Sequence, residues 1–93
     1  MKKVTIKNKE DYIYYLMDDK NEYKLKLEFY DLNNLPKIGD VFYLDERLLK
    51  ENILLSFGLI NSDDGKNIAL LKEDEILILD NGKDKIYLKR YYG

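Results

Sequence analysis

The sequence predicts an all-β domain with at most one short helix, folded as a small antiparallel barrel or sandwich. Two observations carry this expectation. Apolar residues recur with period two: Tyr23, Leu25, Leu27 and Phe29 alternate with Lys24, Lys26, Glu28 and Tyr30. Turn-forming clusters recur roughly every ten residues, cutting the chain into six to eight short strands. Among topologies, a five-stranded OB-like barrel with one short helix is the first choice. An SH3-like barrel is the alternative, followed by an open antiparallel sheet. The 93 residues allow one domain, 1–93.

Val4 and Ile6 predict a short leading strand. Tyr12-Ile13-Tyr14-Tyr15-Leu16-Met17 is rich in aromatic and branched residues and reads as the next one. The polar turn Asp18-Asp19-Lys20-Asn21 pairs it as a hairpin with the alternating run 23–30. Residues 31–40 hold the only Pro, Pro36, and the pair Gly39-Asp40, so they form a loop that delivers the strand Val41–Leu44. Residues 45–52 are the one candidate helix, with Asp45 as cap and Leu48 and Leu49 turned to the core.

Residues 53–60 are apolar on both parities. That suits a strand covered on both faces, or one bent by a bulge at Gly58. Asn61 to Lys66 is a turn containing Asp64-Gly65, followed by a short apolar run, Ile68–Leu71, and a charged break at 72–75. Ile76–Leu79 is a strand, and Asn81-Gly82 turns it into a last strand, Ile86 to Tyr92.

Composition removes several function classes. No Cys and no His are present, so thiolate nucleophiles, Cys/His zinc sites and imidazole acid–base chemistry are excluded. Ser56 and Ser62 stand in no nucleophile elbow, and the glycines are isolated, so no phosphate-cradling loop is formed. Acids gather at Asp18-Asp19, Asp63-Asp64 and Glu73-Asp74-Glu75 without metal-loop spacing, at turns where acids are expected anyway. No cofactor, no metal and no catalysis are expected. Arg47 and Arg90 are the only guanidinium groups and are expected to make ordinary surface contacts.

Sixteen basic and eighteen acidic residues leave a net charge of −2. The middle third, 31–65, carries three basic and seven acidic groups and is the most acidic. The chain as a whole has no field to draw it onto phosphate. No apolar run approaches a membrane span, and Met1–Lys7 lacks the apolar stretch of a secretory leader. A cytoplasmic location without membrane contact is expected.

The most suggestive candidate site is the last strand. Lys85, Tyr87, Lys89 and Tyr91 share one face, alternating cation and ring. Rings that stack on bases beside ammonium groups that meet phosphates are what single-stranded nucleic acid requires. Lys24, Lys26 and Tyr30 extend that face if the two strands are neighbours. The plainer reading is a solvated strand surface, with lysines discouraging edge pairing. Nine Tyr in a small domain also exceed what a core this size hides, which points to a protein interface. The leading expectation is therefore a non-catalytic module for a protein partner or a second copy of itself, including pairing through an edge strand. A weak single-stranded nucleic-acid binder is the alternative.

Overall fold

A computed structural model describes residues 1–30, 35–60 and 76–90. Its elements run β1 (Lys2–Glu10), β2 (Ile13–Met17), β3 (Glu22–Phe29), β4 (Val41–Leu44), α1 (Arg47–Lys50), β5 (Leu54–Ile60), β6 (Ile76–Asp80) and β7 (Lys85–Lys89). The strands close into a barrel in the order β1-β2-β3-β5-β6-β7-β4, with β4 returning to β1. The all-β class with one short helix is as the periodicity predicts. The barrel has seven strands, two more than the OB-like choice allows.

One neighbouring pair departs from the antiparallel expectation: β3 and β5 run parallel, Lys26 opposite Leu54 through Phe29 opposite Phe57. Geometry requires this. Directions cannot alternate all the way round a closed ring with an odd number of strands, so at least one pair must be parallel. The chain reaches β5 by way of β4 and α1, the long crossover that a parallel pair needs.

β1 is nine residues long, not the short leading strand expected. A bulge explains it. The register with β2 shifts between Ile6 and Asn8. The strand bends there, pairing with β4 through Lys2–Thr5 and with β2 through Thr5–Glu10. The polar run Lys7-Asn8-Lys9 hides this strand from a period-two reading. The helix is correspondingly shorter than residues 45–52. It is one turn, in which Asp45 accepts the amide of Arg47 through Oδ1 at 2.9 Å. Leu48 and Leu49 are buried as predicted and join the barrel core.

Inward residues alternate along the strands other than β6. Val4 and Ile6, Tyr14 and Leu16, Leu25 and Leu27, Phe42 and Leu44, Leu55 and Phe57, and Ile86 and Leu88 meet Leu48, Leu49 and Leu79 in one core. The strand expected to be covered on both faces, β5, leaves Leu54 48% exposed. That property belongs to β6, where Ile76 and Ile78 are buried on the parity opposite to Leu77 and Leu79. The β6–β7 connection runs from Asn81 to Asp84, with Gly82 at φ 87 and the Asn81 Oδ1 accepting the amides of Lys83 and Asp84. The expected turn at 61–66, the short apolar run at 68–71 and the charged break at 72–75 lie outside the described residues.

Candidate functional site

Period two places the outward side chains. Ile86 and Leu88 point into the core, so Lys85, Tyr87 and Lys89 face outward from β7. Tyr91 lies outside the described residues. Lys24 and Lys26 face outward from β3, between the inward Leu25 and Leu27. Tyr30 follows β3 and lies over Gly58. A Cβ added at Gly58 would stand 2.7 Å from the Tyr30 ring, so the missing side chain makes room for that ring.

β3 and β7 are not neighbours. β5 and β6 separate them on one side, and β2, β1 and β4 on the other. The face expected from sequence is therefore two walls on opposite sides of the barrel. The β2–β3–β5 wall interleaves Lys24 and Lys26 with Glu22 and Glu28. Glu22 pairs with Lys7, Glu28 accepts from Ser56 Oγ at 3.0 Å, and Lys24 Nζ lies 5.7 Å from the centroid of the Tyr15 ring. Charge on this wall is balanced.

The β1–β4–β7 wall is different. Lys3, Tyr43 and Tyr87 form one row across three strands, and Thr5, Val41 and Lys89 form the next. Lys85 lies two residues before Tyr87, on the same face. Among the described residues of β1, β4 and β7 themselves, the wall below the β1 bulge thus carries three lysines and two tyrosines and no carboxylate. Tyr43 and Tyr87 are half-buried, while Lys3 and Lys85 are exposed. Among the described residues, neither Lys3 nor Lys85 has an ion-pair partner. Asp80 stands opposite Lys85 on β6, and its Oδ1 accepts the Gly82 amide at 2.7 Å. A shallow groove of about 210 Å³ crosses the wall, lined by Lys3, Gly39, Val41, Tyr43, Lys89 and Arg90. Sequence reasoning missed Lys3 and Tyr43. Their parity against Val4 and Phe42 shows that they face outward, but only the long-range order β1-β4-β7 brings them beside Tyr87.

Arg90 does not make the surface contact expected of it. It is 8% exposed, and its Nη1 donates to Asp40 Oδ2 at 3.3 Å and to the Leu35 carbonyl at 2.9 Å. Asp40 is fully buried and accepts the Lys37 amide through Oδ2 at 3.0 Å. Loop 35–40 is thereby bound to the end of β7. It is also bound to β1, where the Gly39 amide donates to the Ile6 carbonyl and the Ile6 amide to the Asp40 carbonyl. Gly39 has φ 99, a backbone state that favours glycine at this turn.

The first acidic pair is structural. Asp18 accepts the amides of Lys20 and Asn21, the Tyr23 hydroxyl at 3.0 Å and the Lys2 ammonium at 2.7 Å. The Lys2 bond, helped by the two amides, holds this carboxyl well below the usual carboxylate range, and Asp18 in turn raises Lys2. An open groove of about 670 Å³ borders this cluster, but its central charges are already committed to each other. At the other end of the chain's rigid contacts, Arg47 reaches Asp84 at 2.5 Å and tethers α1 to the β6–β7 turn. Asp63-Asp64 and Glu73-Asp74-Glu75 lie outside the described residues.

Of the tyrosines, Tyr14 is buried edge-on to Phe29 and Phe42, and burial pushes its hydroxyl up to about 12. Tyr12 and Tyr30 are exposed, and Tyr15, Tyr23, Tyr43 and Tyr87 are partly so. Among the described residues, no group of three or more acidic side chains is placed to hold a metal ion, and no helix is long and apolar enough to cross a membrane. Compared with known protein families, with curated proteins and with solved structures, the chain finds no match.

Proposed function

We propose that this protein is a non-catalytic binding module that holds an anionic partner against the outer wall of β1, β4 and β7. One observation carries the reading: three lysines and two tyrosines, with no carboxylate among them, share that wall on a chain whose net charge is −2. Charge of one sign gathered on one face focuses a local field that the net charge conceals. A packed barrel interior and turn-bound Asp18 support binding over catalysis. Self-association through an edge strand loses its support, because each described strand has two neighbours in the closed ring. Recognition then falls to side chains on the wall.

Retention on a sulfonate or heparin matrix tests this reading. The protein is expected to be retained at low salt despite its negative charge. The double variant Lys3→Glu/Lys85→Glu should flow through, while Lys24→Glu/Lys26→Glu on the opposite wall should be retained. Equal loss of retention in the two variants would reduce the effect to net charge and overturn the reading.

A further inference from the structure

We infer that the partner on the β1–β4–β7 wall is a single-stranded nucleic acid, read without sequence preference. This rests on the binding-wall reading above and names its ligand. Tyr43 and Tyr87 form the centre of the wall. They are directly opposed in the antiparallel β4–β7 register, so their rings stand on neighbouring strands. Adjacent strands are about 4.8 Å apart, so two rings in one row offer a stacking platform to consecutive bases.

The cations surround this platform. Lys3 continues the row on β1, one strand beyond Tyr43. Lys85 and Lys89 stand two residues to either side of Tyr87 along β7. The ammonium groups of Lys3 and Lys85, on two sides of the pair of rings, match a ligand whose flat bases sit centrally and whose phosphates pass at the margins. An acidic peptide satisfies the lysines but makes no use of the paired rings. A duplex buries the faces of its bases within the stack, so the rings have nothing to engage. Thr5 and Val41 keep the second row low, leaving the groove beside Tyr43 open.

The test is fluorescence anisotropy of a labelled oligo(dT) and a labelled poly-glutamate, each titrated with the full chain at several salt concentrations. Saturable oligo(dT) binding is expected, with a log–log salt slope of about −1.4 for two phosphate contacts, at Lys3 and Lys85, of roughly 0.7 each. Tyr43→Leu and Tyr87→Leu should each weaken oligo(dT) binding about fivefold or more, the loss of one stacked base. Lys3→Glu/Lys85→Glu should abolish it and needs no change inside the core, so a failure of the tyrosine variants to fold leaves the test intact. If poly-glutamate binds as tightly as oligo(dT) and the tyrosine variants change neither, the nucleic-acid assignment is overturned while the anion-binding wall stands. If neither probe binds at low salt, both readings fall.

Discussion

Replacing Arg90 by Met perturbs the structure at the point where a charge is buried furthest from its sequence expectation. Arg90 and Asp40 have side chains only 5% and 0% exposed, 3.3 Å apart. Removing the guanidinium takes this cation away from the buried Asp40 carboxylate, which keeps the Lys37 amide. Breaking a buried pair from one side costs about 3–5 kcal/mol. A 93-residue chain has roughly 5–14 kcal/mol of total stability, so the loss is about a fifth of it or more. At 4–8 °C per kcal/mol, the melting temperature should fall by at least about 12 °C. Asp40→Asn should cost a comparable amount by removing the carboxylate from beside the buried Arg90 guanidinium. The double variant should cost clearly less than the two singles combined, because neither charge is then left alone. Urea denaturation of the four proteins completes the cycle. A loss below about 1 kcal/mol for Arg90→Met, or strict additivity in the double variant, would refute the view that this pair fastens loop 35–40 to the barrel.

Other perturbations have equally definite outcomes. Asp18 is depressed when folded, so it contributes stability above its unfolded pKa near 4 that is lost as pH falls through its lower folded value. Thermal melts between pH 2 and 6 should show a steeper decline for the wild type than for Asp18→Asn. Tyr14 is raised to about 12, so its contribution is present below pH 10 and lost as pH climbs from 10 to 12. Absorbance titration near 295 nm should show one tyrosine step displaced to that range and missing in Tyr14→Phe. Gly82→Ala meets no atom within 4 Å but must hold φ 87, which should cost about 1–2 kcal/mol by chemical denaturation. Phe57→Ala, at a fully buried position on β5, should cost about 3–5 kcal/mol.

The legible parts of this fold are those fixed by local pattern. β3 alternates so cleanly that its buried face, Leu25 and Leu27, follows from spacing alone. Leu48-Leu49 after Asp45 marks the helical turn, and Asn81-Gly82 marks the last hairpin. The illegible parts are set by distance along the chain. Lys7, Asn8 and Lys9 look like the end of a strand because their register is carried across a bulge. Arg90 looks like surface because its partner Asp40 lies fifty residues away. The candidate face divides in the same way. Parity correctly turned Lys85, Tyr87 and Lys89 outward, but only strand order decides which side chains join them. That order replaces Lys24, Lys26 and Tyr30 with Lys3 and Tyr43.

The most direct test of the central claim is to map the binding surface residue by residue. Backbone amide shifts of isotopically labelled protein are recorded while unlabelled oligo(dT) is added at low salt. The account predicts shifts concentrated at Lys3–Thr5, Val41–Leu44 and Lys85–Lys89, fading as salt rises. Shifts centred instead on Lys24, Lys26 and their neighbours on β2 and β5 would place binding on the opposite side of the barrel and contradict it.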